Sequence, residues 1–212
     1  ISGDLRFRYH VVGARICMTK EHAAFVGSVP DNYDTYLGPL LFQPYAEDIA
    51  ARLRSHSPMR VLELACGTGI VTRVLRNTLP PDASLLATDL NETMIERARS
   101  KFREDEAVGW READATRMPF PDRSFDAVIC QFGLMFFPDK QAAMNEVHRV
   151  LEPGGVFLFS VWDSIDENEL SALADRAIAD LFPGNPPDFY TIPFGFHDRE
   201  EIRSLCERAG FV

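Results

Sequence analysis

Glu63, Asp89 and Asp114, together with Gly67 and Gly69, have the types and spacing to hold a nucleotide-like ligand. The glycines lie in Val61-Leu62-Glu63-Leu64-Ala65-Cys66-Gly67-Thr68-Gly69-Ile70, a short apolar run that turns straight into a helical pattern. Glycine in such a turn lets backbone N–H groups approach a ligand closely, and the helix N-terminus adds partial positive charge. Asp89 closes the run Ser84-Leu85-Leu86-Ala87-Thr88, about twenty residues further on, where a carboxylate can accept from two ribose hydroxyls. Asp114 stands at the end of a third segment, Ala107 to Ala115. A tight strand-to-helix connection would also explain the glycines alone, so it is the company of the acids that points to a ligand.

Holding these groups together requires strands that end at one edge. Residues 60–65, 84–88, 107–111, 125–131 and 156–162 are apolar runs of strand length. Helical patterns separate them. Val71, Val74, Leu75 and Leu79 share one face, and Pro80-Pro81 stops that helix. Met94, Ile95, Ala98 and Phe102 form the apolar stripe of the next, with Asn91 as N-cap and Glu92, Glu96, Arg97 and Arg103 toward water. Asp139 caps a third, with Ala143, Val147, Val150 and Leu151 inward and Pro153-Gly154-Gly155 as terminator. Strand–helix alternation with apolar strands predicts an α/β fold, a Rossmann-like, doubly wound, mainly parallel sheet with helices on both faces. Ligands of such sheets bind beyond the carboxyl ends of the strands, where Glu63, Asp89, Asp114 and Gln131 all fall. Upstream, Tyr33, Tyr36, Leu37, Leu40, Leu41, Tyr45 and Ile49 recur at roughly helical spacing, interrupted at Gly38-Pro39, and predict a helical lid over 31–54. A helix over 166–182, a loop rich in proline and aromatics from Phe182 to Phe196, and a helix opened by Asp198 and Glu201 complete the pass.

Taken in order, the glycine turn, Asp89 after the second strand, Asp114-Ala115 after the third, and Arg149-Val150-Leu151-Glu152-Pro153-Gly154-Gly155 before the last resemble the motifs of class I S-adenosylmethionine-dependent methyltransferases. Within that family the chain is similar to the small-molecule branch that contains the ubiquinone/menaquinone-biosynthesis type, over residues 30–212. The resemblance implies S-adenosylmethionine as cofactor and methyl transfer to a small-molecule acceptor by in-line displacement. It places Gly67 and Gly69 at the amino-acid end of the cofactor, with Ala65 where the family usually has a third glycine. Glu63 would support the amino group, Asp89 the ribose, and Asp114 with Ala115 the adenine edge. Leu90, Met94, Gln131 and Phe132 would add contacts, Phe132 from the apolar run Phe132 to Phe137, and Tyr33 would close from the lid, with Tyr36 a weaker candidate. The acidic residues suit a ligand that bears a sulfonium and an ammonium. Such a cofactor needs alignment and exclusion of water more than an acid–base pair; His197 is the one candidate for a general base. Two other readings stand beside this one. The chain would bind the cofactor or its demethylated product without catalysis, or it would be a nicotinamide-dependent oxidoreductase. Against the latter, Ile70-Val71-Thr72 follows Gly69, so the third glycine of the dinucleotide fingerprint is missing.

Composition narrows the partners. A chain of 212 residues that is 46% hydrophobic suits one globular domain with its own core. A net charge of −10 argues against a nucleic-acid groove, which needs a basic stripe to displace counterions. No apolar run is long enough to span a membrane, and the first seventeen residues, interrupted by Arg6, Arg8 and Arg15, lack the apolar block of a signal peptide. Cys17, Cys66, Cys130 and Cys206 show neither CxxC nor metal-ligand spacing, which predicts reduced thiols, no metal site and a cytoplasmic setting. Nothing in the sequence sets an oligomeric state. The expected organisation is an upstream or accessory segment over 1–17, the lid over 18–55 and the core over 56–212. Leu5, Phe7, Tyr9 and Val11 alternate with polar residues and offer an alternative as an edge strand. The family adds an antiparallel hairpin after the last helix, so Ala209-Gly210-Phe211-Val212 reads as a helix end at which the C-terminal hairpin is truncated.

Overall fold

The structure is a computed structural model that describes residues 11–12, 15–16, 33–183 and 190–212; of 11–12, 15–16, 33 and 35–37 it describes the backbone alone. Five strands form one sheet: β1 (Arg60–Glu63), β2 (Ser84–Asp89), β3 (Val108–Glu112), β4 (Phe125–Gln131) and β5 (Leu151–Ser160). Their order across the sheet is β3-β2-β1-β4-β5, and every neighbouring pair is parallel. The order reverses beside β1, so a crevice opens between the carboxyl ends of β1 and β4, the usual ligand position of an open α/β sheet. Val11–Val12 and Arg15–Ile16 pair antiparallel with each other. Of residues 5–11, for which an edge strand is the alternative reading, 5–10 lie outside the described residues.

Alternation along the central strands sends side chains to two cores. Val61, Leu85, Ala127 and Ile129 pack under α1 (Gln43–Arg54) and α2 (Ile70–Thr78), against Ala46, Ile49, Leu53, Val71 and Leu75. On the opposite face Leu62, Leu64, Val128 and Cys130 meet Ala143, Met144, Val147 and Val150 of α4 (Lys140–Val150) and Leu205 of α7 (Arg199–Ala209). The short α3 (Glu92–Arg99) sets Ile95 on Ala87 and Cys66. Leu53 and Leu75 are fully buried, and each such side chain contributes about 2 kcal/mol from apolar area alone. The remaining helices are α5 (Glu169–Leu181) and α6 (Thr191–Phe194).

The expected caps form. Asn91 accepts from the Thr93 N–H at 3.0 Å, Asp139 from the Ala142 N–H at 2.9 Å, and Asp198 from those of Glu200 and Glu201. Two local expectations are corrected. Pro153-Gly154-Gly155 does not end α4, which stops at Val150. These residues lie within β5, in a bulge where the pairing jumps from Phe125 opposite Leu151 to Ala127 opposite Val156. Nor do residues 33–42 follow α-helical spacing. Tyr33–Phe42 is a π-helix with Pro39 inside it, so its wider turn exposes Leu40 to 77% and buries Phe42 instead.

Candidate active site

A cavity opens in the crevice beyond β1 and β4. Its lining includes Glu63, Ala65, Gly67, Asp89, Leu90, Met94, Asp114, Ala115, Gln131 and Phe132. The strand-end acids and their neighbours thus converge as the sequence requires. The backbone builds the floor: the Cys66 N–H donates to the Thr88 carbonyl at 2.9 Å, and the Gly69 N–H to the Cys66 carbonyl at 2.9 Å, which curls the turn over β2.

The two turn glycines do different work. Gly67 has φ +54, and a Cβ there would meet nothing within 4 Å, so the backbone faces open cavity. Gly69 is not in the lining. It is the left-handed N-cap of α2, φ +82, where a Cβ would come 2.9 Å from the Ala98 Cβ. Its small size lets α2 start against α3. Ala65, at the place of the family's third glycine, also has positive φ, +52, and its side chain forms part of the wall.

Asp89 is held by the turn it faces. The Gly67 N–H donates to Oδ2 and the Asn91 N–H to Oδ1, each at 2.9 Å. Burial raises its carboxyl above the ordinary range, and these N–H donors oppose the rise. Glu63 is 2% exposed, and burial pushes its carboxyl up to about 8, with the Asp89 charge adding to the rise. Its Oε2 has no hydrogen-bond partner. Buried Glu63 and half-buried Asp89 face one cavity whose lining holds no described lysine or arginine, which favours a ligand that brings positive charge. Asp114 accepts through Oδ1 from the Thr116 N–H and hydroxyl, at 2.8 and 2.7 Å, which fixes its ring of backbone at the cavity edge. Cys66 lines the cavity as a free thiol, and burial holds it well above its ordinary range, so it stays protonated.

The opposite wall is aromatic. Phe132, buried and at φ +52, stacks on Trp162 with ring centroids 4.0 Å apart and 3° between planes. Tyr45 and Phe42 meet Phe132 edge-on at 5.1 and 5.9 Å. Gln131 Nε2 donates to the Phe42 carbonyl at 3.1 Å, while its Oε1 is buried without a partner. Phe136 and Phe137 close the same side. Phe42, Thr68, Ile70 and Ala113 also line the cavity and were not singled out from sequence. Ala113 and Ile70 flank residues that were, so adjacency was the available signal; Phe42 was hidden by the π-helical spacing. His197 does not line the cavity. It is exposed, with Nδ1 at 2.8 Å from the Phe194 carbonyl. The side chains of Tyr33 and Tyr36 lie outside those described.

Residues 62–159 match the model of a methyltransferase domain family. The chain is 32% identical over 165 residues to a ubiquinone/menaquinone biosynthesis C-methyltransferase of Proteus mirabilis, covering 72% of this chain and 66% of that protein. It is 31% identical over 163 residues to a demethylmenaquinone methyltransferase of Staphylococcus aureus, covering 72% of this chain and 68% of that one. The chain therefore spans about two thirds of the length of these curated relatives. Among solved structures, an S-adenosylmethionine-dependent methyltransferase of Thermotoga maritima, a possible histamine N-methyltransferase, superposes with a TM-score of 0.60 at 22% identity, over 86% of this chain and 79% of that one, which shows the shared fold. A parallel sheet with its cavity at the β1–β4 switch, acids at the strand ends and relatives matched over most of the chain lead to one conclusion: the chain belongs to the class I S-adenosylmethionine-dependent methyltransferases.

Proposed function

We propose that this protein transfers a methyl group from S-adenosylmethionine to a flat, apolar small molecule by in-line displacement. The observation that carries the reading is one cavity lined both by the carboxyls of Glu63, Asp89 and Asp114 and by the rings of Phe42, Phe132, Phe136 and Phe137. When bound, the cofactor supplies an electrophilic methyl on a positively charged sulfur. The residues fit it: Gly67 leaves room for close backbone approach, and Glu63 puts a buried carboxyl on the lining. Asp89 offers its remaining lone pairs to a diol, and Asp114 Oδ2 takes no described hydrogen bond and is open to an amine. Phe132 and its neighbours exclude water and present aromatic faces that favour a cation.

Among the described residues, no histidine, lysine, arginine or tyrosine lines the cavity. An acceptor that ionises readily in solution or is already electron-rich, such as a ring carbon activated by hydroxyls, needs no base beyond the lining carboxylates. The relatives named for ubiquinone and menaquinone biosynthesis methylate carbon, and the aromatic wall suits an acceptor of that shape. The net charge of −10 disfavours nucleic acid as partner. Free thiols at Cys66, Cys130 and Cys206 support a cytoplasmic setting, and no described helix is long and apolar enough to cross a membrane.

Calorimetric titration with S-adenosylmethionine and S-adenosylhomocysteine, on the wild type and Asp89→Ala, tests the cofactor half. The expected result is micromolar binding that weakens about a hundredfold in a folded variant, the scale of losing charge-assisted hydrogen bonds. Label from methyl-tritiated cofactor appearing in one of a panel of hydroxylated aromatic compounds tests the other half. Binding with no labelled product across the panel would favour a non-catalytic binder, and a folded wild type that binds neither cofactor form would end the reading.

A further inference from the structure

Residues 33–42 are tied down at both ends to the rim of one cavity, and the two ties differ in kind. At the far end Phe42 is buried: its carbonyl accepts from Gln131 Nε2 at 3.1 Å, and its ring meets Phe132 at 5.9 Å and Trp162 at 6.3 Å. At the near end Asp34 is the anchor. Its Oδ1 accepts from the Thr68 hydroxyl in the glycine turn, and its Oδ2 pairs with the Lys101 ammonium, with Arg97 Nε 3.5 Å away. Lys101 also donates to the Thr68 carbonyl at 2.6 Å, so carboxylate, turn and lysine form one closed cluster. Thr68, Phe42 and Gln131 all line the cavity, whereas Asp34, Lys101 and Arg97 do not. The ionic cluster therefore grips the segment from outside the ligand space and competes with no ligand group.

We propose that Asp34 is a positioning residue, an ionic clasp that holds residues 33–42 across the cavity and sets how fast the cofactor exchanges. The inference rests on S-adenosylmethionine and its demethylated product being the cavity's ligands. Any ligand leaving past this segment requires one tie to open. The Phe42 end is part of the apolar core, so opening there exposes aromatic surface. The Asp34 end breaks ion pairs to cations whose side chains are 33% and 42% exposed, where water and salt replace part of the contacts of a carboxylate that is itself 13% exposed. The Asp34 end is the one that opens. Because Thr68 belongs to the ligand-binding turn, release of Asp34 also removes one of that turn's hydrogen bonds.

The test is stopped-flow displacement of S-adenosylhomocysteine at low and high ionic strength, with thermal melts run alongside. In the wild type the off-rate rises with salt. In Asp34→Asn it is about tenfold faster at low salt and nearly independent of salt, the scale set by one lost charge-assisted hydrogen bond. Lys101→Gln gives the same loss of salt dependence from the other side of the cluster, which covers the case in which Asp34→Asn does not fold. Asp34→Glu restores most of it. An Asp34→Asn protein with a lowered melting temperature but wild-type off-rate and salt slope would reduce Asp34 to a structural contact and overturn the proposal. A folded wild type that binds no S-adenosylhomocysteine would overturn both this proposal and the reading it rests on, whereas normal binding with an unchanged off-rate would fail the clasp alone.

Discussion

The two sides of the cavity are built by opposite rules. The acidic side consists of residues that end strands, Glu63 on β1 and Asp89 on β2, with Asp114 two residues past β3. Backbone N–H groups orient Asp89 and Asp114: those of Asn91 and Thr116 two residues on and, for Asp89, that of Gly67 in the turn that follows the neighbouring strand. The aromatic side consists of residues that meet only through the fold: Phe42 from the N-terminal segment and Phe132 after β4 line the cavity, and Tyr45 and Trp162 pack behind them. Local aim suits a ligand part that does not vary, and tertiary assembly suits one that can. The acidic side should therefore tolerate substitution in its fold but not in its ligand binding, and the aromatic side the reverse.

Phe132→Ala is the harshest test of that contrast. It removes a ring that stacks on Trp162 and meets Phe42 and Tyr45, and an alanine there still has to adopt φ +52. The expected loss is about 3 kcal/mol of stability in denaturant melts, typical for a buried phenylalanine. Cofactor affinity should change much less than acceptor KM. A variant that lost cofactor binding as severely as Asp89→Ala, while remaining folded, would merge the two sides into one.

Glu63→Gln tests the acidic side with the opposite sign for stability. The folded carboxyl is held up to about 8 against an ordinary value of 4.5, so between these pH values the folded protein keeps a proton that the unfolded chain has lost. This group's contribution is full below about pH 4.5, falls as pH rises through that window and levels off above 8. The glutamine variant carries no such charge to bury. Its melting temperature should match wild type near pH 5 and exceed it at pH 9. Cofactor affinity should fall about tenfold, because a neutral amide is a poorer partner for an ammonium. At pH 7 wild-type binding should release a proton from Glu63, seen as a dependence of binding enthalpy on buffer and absent in the variant. Parallel melting curves at both pH values would show that Glu63 does not bury its charge.

The same contrast explains what could be read beforehand. Asp89 was legible because strand period, chain reversal and a following Asn91 cap are all local. The parallel sheet and its caps were legible for the same reason. Phe42 was not, because π-helical backbone rotates the buried face away from the one α-helical spacing gives, and its partners stand far along the chain, at Phe132 and Trp162. His197 was singled out only as the one general-base candidate. Its ring faces the Phe194 carbonyl instead, and Phe194 and Phe196 supply the buried part of that segment. Asp34 drew no attention because its partners, Thr68, Arg97 and Lys101, come from elements with no patterned relation to it.

The smallest effect belongs to Ala65, where the two sides touch. Its left-handed φ of +52 costs about 1 kcal/mol for a residue with a Cβ, and glycine would remove that strain while adding about as much chain entropy to the unfolded state. What breaks the tie is Gly133 on the aromatic side. A Cβ there would lie 2.5 Å from the Ala65 Cβ and 2.9 Å from Cys130 Sγ, so the space between the two backbones holds one methyl group. Ala65→Gly should therefore shift stability by less than about 1 kcal/mol, and Gly133→Ala alone should cost about 2 kcal/mol through overpacking. Combined, the two substitutions should cost less than Gly133→Ala by itself, because the methyl changes owner instead of doubling. Additive effects in such a double-mutant cycle would show that the two walls relax independently, and Ala65 would then be a local choice of the turn and not the point at which the acidic and aromatic sides are fitted to each other.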